Sequence, residues 1–234
     1  MAVVMSELDT VIEQYAAALE EEGVDYEVGE DGSLIYVFAD TEAGRCEGFI
    51  VVDEFVAAQV GDEFEALALA FCEVFFVLPT ESWPVAANPG PLLEFLVRLN
   101  ESHRIGSYEL HIEENELRFR IYQTFDTTEP LSTDQLLLPL YEAVRAIDLH
   151  WEFFTMVMRD QYDPAHAIAE FYARECFDDE DGLNEELVSR AGELFDIARD
   201  RYRATGHDEL AETITVRLQE LTRAAGQAVA KAMV

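Results

Sequence analysis

The sequence predicts an α+β fold, an antiparallel sheet packed with helices and extended by a C-terminal α-helical hairpin. Three observations lead there. Two hairpin patterns, at Asp31-Gly32 and at Glu114-Asn115, join adjacent strands antiparallel. Amphipathic helical stripes precede, separate and follow the strand-like runs. Half of the 234 residues are hydrophobic, which suits a packed core even though 49 acids against 15 bases give a formal net charge of -34.

The first helix is expected over roughly 6–22, with Leu8, Ile12, Tyr15 and Leu19 on one face. Ser6 and Asp9 stand at capping-box spacing and Gly23 is placed to end the helix. Tyr26 to Glu30 and Ser33 to Phe38 then flank Asp31-Gly32 as a hairpin. The second of these strands is apolar on both faces, which places it centrally in a sheet. Two further strands follow near 47–58 and 66–78. Residues 79–91 hold four prolines and form a connection, with Pro91 as the first residue of the next helix. That helix carries Leu92, Phe95, Leu96 and Leu99 on one face and ends near Gly106.

In the second hairpin, a turn at Glu114-Asn115 would pair Ile112 with Leu117, Leu110 with Phe119 and Tyr108 with Ile121. The opposite face would then set Glu109 against Arg120 and His111 against Arg118. A long helix starts near 133, capped by Ser132 and Gln135, with Leu136, Leu140, Val144, Ile147, Trp151, Phe154 and Met158 as its stripe. Pro139 lies past its first turn and is expected to bend it. Asp163-Pro164 caps another helix running to about 177. Asp-Asp-Glu-Asp-Gly at 178–182 reads as an acidic linker. Two helices, about 183–204 and 208–232, then form a hairpin across Thr205-Gly206-His207. The expected domains are therefore 1–177 and the hairpin 183–234, with Asp181 and Gly182 as the hinge.

The charge is a gradient. Residues 1–90 hold 20 acids and one base, Arg45. Two explanations stay open: adaptation of a whole proteome, or a surface that attracts a basic partner. The hydrophobic content excludes a wholly disordered acidic chain. Scarce Lys and Arg argue against direct binding of nucleic acid or an anionic membrane. The N-terminus has neither the basic nor the apolar region of a signal peptide. Cys46, Cys72 and Cys176 are odd in number and far apart, which disfavours disulfides and fits a reducing cytoplasm.

Motifs for chemistry are not found. The glycines make no phosphate loop, and there is no G-x-S-x-G elbow. His103, His111, His150, His166 and His207 show no metal-binding spacing. No catalytic residue, metal or cofactor is assigned from the sequence.

Three stretches carry a family resemblance: LLEFLVRLN at 92–100, SYELHIEENELRFRIY after Gly106, and LSTDQLLLPLYEAV at 131–144, followed by Asp148. Together they resemble the YbjN family, over roughly residues 6–160. That family is similar in fold to the small dimeric type III secretion chaperones. The resemblance implies a client-binding or regulatory protein linked to stress responses, with no catalytic residues to carry over. It implies a homodimer whose contact uses the helix at 91–104, which makes Leu92, Phe95, Leu96 and Leu99 the interface candidates.

The expected function is a non-enzymatic, chaperone-like, dimeric binding module in the cytoplasm. Its client would be a basic protein, for example one that binds DNA or RNA. Phe49, Val51 and Phe55 are the candidate partner-binding residues. The hairpin could swing on Asp181 and Gly182 to clamp the client. Two other classes compete. A carboxylate-dependent hydrolase needs converging acids with raised pKa values. An acidic DNA mimic needs regularly spaced surface carboxylates.

Overall fold

The computed structural model of the protein describes residues 7–30, 32, 34–57, 67–79, 89–103, 105–126, 131–177 and 183–232. The proposed Ser6 cap and the 178–182 linker, including Asp181 and Gly182, lie outside the described residues. Helix α1 (Glu7–Glu22) ends as its sequence demands. Gly23 takes φ 70°, the Gly23 N–H donates to the Glu20 carbonyl, and the Val24 N–H reaches back to Leu19. This paired closure satisfies carbonyls that the last turn would leave free.

Among the described residues six strands form one antiparallel sheet: β1 (Asp25–Val28), β2 (Leu34–Thr41), β3 (Gly44–Ala57), β4 (Leu67–Leu78), β5 (Ser107–His111) and β6 (Glu116–Asp126). Their spatial order is β1-β2-β3-β4-β6-β5. The β1–β2 pair is antiparallel as expected, with Val28 opposite Ile35, and the Gly29 N–H donates to the Leu34 carbonyl; Asp31 lies outside the described residues. β2 has a strand on either side, in keeping with its two apolar faces.

The second hairpin departs from expectation by two residues. Leu110 faces Leu117 and Tyr108 faces Phe119. The turn occupies Ile112 to Asn115, where Asn115 takes φ 55° and its N–H donates to the Ile112 carbonyl. A shift of two preserves which face each side chain meets, so the apolar pattern cannot detect it. Ile112 is left exposed rather than paired with Leu117.

One sheet face is the core. Ile35, Val37, Ile50, Val52, Cys72, Val74, Phe76, Tyr108, Leu117, Phe119 and Ile121 are buried there. Each large side chain so buried stabilises the fold by about 1.5–3 kcal/mol. The Tyr15 hydroxyl of α1 sits 3.0 Å from the Cys72 sulfur on this face. Burial pushes the Cys72 thiol up to about 12, so it packs as a small hydrophobe. The Tyr108 hydroxyl donates to the Ala146 carbonyl of helix α3 (Thr133–Met158).

The α3 start is the capping box that the sequence announces. The Ser132 N–H donates to Gln135 Oε1 at 3.0 Å, and the Gln135 N–H donates to Ser132 Oγ at 3.2 Å. The helix runs on through Pro139. A proline there cannot donate to the Gln135 carbonyl, and the Gln123 side-chain amide of β6 donates to it instead, at 3.5 Å. Asp148, one of the residues that carry the resemblance, accepts from the Glu42 N–H at 2.7 Å and ties down the β2–β3 turn.

Two compact units emerge: Met1–Ala86 with His103–Leu149, and Ala87–Ser102 with His150–Val234. The division falls inside α3 and not at 178–182, where the sequence places a domain boundary. The second unit holds α2 (Pro89–Ser102), the end of α3, α4 (Pro164–Glu175), α5 (Glu185–Ala204) and α6 (Asp208–Ala232). Helix α2 begins at Pro89, two residues before the expected Pro91. Asp163 caps α4 by accepting from the Ala165 N–H.

The α5–α6 hairpin is built into this unit. Ala191, Leu194, Phe195, Ala198 and Tyr202 of α5 are buried, and α5 packs on α4. The Asn184 N–H donates to the Cys176 carbonyl at 3.0 Å, a bond between the described residues on either side of 178–182. Arg201 of α5 reaches Glu94 of α2 at 2.9 Å and Asp163 at 3.3 Å.

Candidate protein-interaction surface

The sheet face opposite the core is built by simple alternation. Along β4, Cys72, Val74, Phe76 and Leu78 point into the core, whereas Glu73, Phe75 and Val77 are half-exposed. Along β2 the half-exposed set is Leu34, Tyr36 and Phe38, and along β3 it includes Phe49 and Val51. Strand register turns these into lateral rows. The central row reads Glu27, Tyr36, Phe49, Phe75, Arg120 and Ser107 from one edge to the other. One flanking row is Leu34, Val51, Glu73 and Tyr122. The other is Asp25, Phe38, Glu47, Val77, Arg118 and Glu109.

The aromatics interlock. Tyr36 meets Phe49 edge-on at 5.4 Å, and Phe49 stacks on Phe75 at 4.7 Å. Arg118 and Arg120 approach the Phe75 ring at 5.4 and 5.5 Å. Both arginines are already held by acids. Arg120 pairs with Glu73 at 3.0 Å and Glu109 at 3.2 Å, and Arg118 pairs with Glu114 and Glu116. Burial works against the charge of Arg120, but the Tyr122 hydroxyl, Glu73 and Glu109 outweigh it and raise its pKa. The expected Glu109–Arg120 pair therefore forms even in the shifted register. His111 sits 3.4 Å from Glu109 and 3.5 Å from Glu114 rather than facing Arg118.

The resulting surface has an apolar centre on β2, β3 and β4. Asp25, Glu27, Glu47, Asp53 and Glu73 lie on or beside it. Arg45, the one base of residues 1–90, is paired with Asp25. Such a surface can bury apolar side chains of another protein and attract its cations.

Of the residues chosen from sequence, Phe49 and Val51 lie side by side on this face. Phe55 has the same parity on β3, but its side chain lies outside the described residues. The four interface candidates on α2 are placed otherwise. Leu92, Phe95, Leu96 and Leu99 are buried within their own unit, with Phe95 against Phe154 at 5.0 Å. They fill a core and present nothing to a second copy. The outward side of α2 instead carries Leu93 and Val97, 41% and 60% exposed. Sequence reasoning missed Tyr36, Phe38 and Phe75. Their signal was present in the two-sided apolarity of β2 and β4.

Among the described residues, no group of three or more His, Cys, Asp or Glu could hold a metal ion. Among the described residues two carboxyls depart clearly from their ordinary value, and both move down. Glu94 is held down by Arg201 and Arg98 against burial, and Glu170 falls to about 2 because Arg217 and His166 outweigh its burial. A hydrolase of the kind considered would need the opposite. Among the described residues no helix is long and apolar enough to cross a membrane. Compared with known proteins, the chain matches no family model and no curated protein.

Proposed function

We propose that the protein is a non-enzymatic, chaperone-like binding module whose open sheet face takes an apolar segment of a basic client protein. The observation that carries this reading is the continuous row Tyr36, Phe49 and Phe75, half-exposed and set among acids. Apolar burial supplies the affinity, and the acids select Lys and Arg beside the buried groups and speed encounter. A nucleic-acid-binding protein has the required chemistry. The YbjN resemblance supports the same class and adds stress-linked regulation in the cytoplasm. It also adds a homodimer, which would have to use a surface other than the buried side of α2. Light scattering on the purified chain tests that separately.

The client reading is tested with two synthetic peptides. One alternates Leu and Phe with Lys and Arg, and the other carries Glu in place of each base. Fluorescence anisotropy should show the basic peptide binding, with affinity falling about tenfold or more between about 0.1 and 0.5 M salt. Phe49→Ala should abolish that binding while the protein stays folded. Equal binding of both peptides, or no effect of Phe49→Ala, overturns the proposal.

A further inference from the structure

β2, β3 and β4 each have a strand on both sides, so across Tyr36, Phe49 and Phe75 the backbones are already joined to one another in the ladder. A second protein gains no backbone hydrogen bonds there. An extended segment laid on this face would bring its own N–H and C=O groups against rings that cannot pair them, at a cost for each group so buried. An α-helix satisfies those groups within itself and can bury a whole side. The dimensions agree. Leu34 to Phe38 along β2 spans about 13 Å, and β2 to β4 spans about 10 Å. A helix with its side chains is about 10 Å across, so one helix lying along the strands covers the apolar centre.

The charges set the chemistry and length of that helix. On β3 the apolar pair Phe49 and Val51 is bracketed on the same face by Glu47 and Asp53, and Glu27 of β1 stands opposite Tyr36. All three acids are exposed, and among the described residues none of them has an ion-pair partner. The arginines of the face are engaged elsewhere: Arg45 by Asp25, Arg118 by Glu114 and Glu116, and Arg120 by Glu73 and Glu109. Glu47 to Asp53 spans about 20 Å of strand, the length of about 13 helical residues. A second copy of the chain, at a net charge of -34, would be repelled by these acids. Resting on the client-binding reading above, we propose that the sheet face takes a basic amphipathic α-helix of about 13 residues, laid along β2, β3 and β4. Its apolar stripe lies on Tyr36, Phe49, Val51 and Phe75, and Lys or Arg beside the stripe meet Glu27, Glu47 and Asp53.

The test uses the full chain and two synthetic peptides of identical Leu, Phe, Lys and Arg composition. One places its apolar residues at i, i+3, i+4 and i+7, and the other alternates apolar and basic residues. Fluorescence anisotropy should show the helix-patterned peptide binding tighter by about tenfold or more. A proline at a central basic position, away from the apolar stripe, breaks the helix and should remove that advantage. Isotope-edited nuclear Overhauser effects should show i to i+3 contacts in the bound peptide. Glu47→Gln combined with Asp53→Asn, both at exposed positions, should weaken the helix-patterned peptide by about fivefold or more and flatten its salt dependence. Equal or tighter binding of the alternating peptide, tolerance of the proline, absence of the i to i+3 contacts, or unchanged affinity in the double variant overturns the helix and leaves the client reading standing. A dimer in light scattering that Phe49→Ala dissolves gives the face to a second copy and overturns it too. Failure of both peptides to bind removes the client reading and this inference together.

Discussion

Phe75 lies flat against Phe49, their ring centroids 4.7 Å apart and their planes 14° from parallel, on the sheet face opposite the core. Both rings are half-exposed, so water still reaches surface that packing could cover. The contact stiffens the face without hiding it. Phe75→Ala removes the stack and the two arginine contacts. We expect a stability loss of about 1–2 kcal/mol in urea unfolding, less than for a core phenylalanine. Binding of the basic peptide should drop by about tenfold or more. A loss of stability with unchanged binding would give Phe75 a structural role only.

Glu170 couples α4 to α6 in a way that pH can read. A glutamate in an unfolded chain titrates near about 4.3. In the folded protein burial opposes the charge, but Arg217 and His166 hold the carboxyl at about 2. A folded value below the unfolded one means that the contribution is complete above about pH 4.3 and is lost as pH falls through about 2. Because Arg217 is 43% exposed, solvent screens the pair, and Glu170→Gln should cost about 1–2 kcal/mol at neutral pH. Chemical denaturation as a function of pH should show the gap to the wild-type protein closing below about pH 4. A gap that is constant with pH would remove the ionic account.

Gly48 marks where β3 must be thin. A methyl group there would lie 2.6 Å from the Phe76 ring and 2.7 Å from Val37. Phe76 is fully buried and cannot swing away without opening the core. Gly48→Ala should therefore destabilise by about 1–3 kcal/mol in urea, against the small gain that alanine usually brings over glycine in a strand. A neutral result would show that the Phe76 ring has room to relax.

What the sequence discloses depends on the range of the interaction. The Ser132–Gln135 box, the Asp163 cap and the Gly23 closure need only neighbouring residues, and each stands as read. The candidate face was half legible. Phe49 and Val51 follow from one strand, but Tyr36 and Phe75 join them only through a register spanning three strands. The apolar side of α2 was read correctly as a buried face and assigned to the wrong cover. Periodicity shows that Leu92, Phe95, Leu96 and Leu99 must be hidden, and it cannot say whether the same chain or a second copy hides them. The acidic 178–182 stretch looks like a boundary by composition, yet α5 buries five side chains in the same unit as α4. His166 stood in the sequence as one histidine among five, and its partner Tyr202 comes from a helix 36 residues further along the chain.

The two-residue shift in the β5–β6 hairpin gives a prediction that separates turn chemistry from face pattern. Both registers bury the same face, so the turn must choose between them. In the structure Asn115 closes a turn over Ile112 to Asn115 with φ 55°, a conformation that glycine adopts freely, asparagine tolerates and β-branched residues resist. Asn115→Gly should leave stability within about 0.5 kcal/mol of the wild-type protein, and Asn115→Val should cost about 1–2 kcal/mol. The cross-strand contacts between Leu110 and Leu117, read by nuclear Overhauser effects, should persist in Asn115→Gly. Contacts between Leu110 and Phe119 in their place would restore the register that the charge pairing suggested. In that case a turn at Glu114-Asn115, with Glu109 directly opposite Arg120, would be the better description of the hairpin.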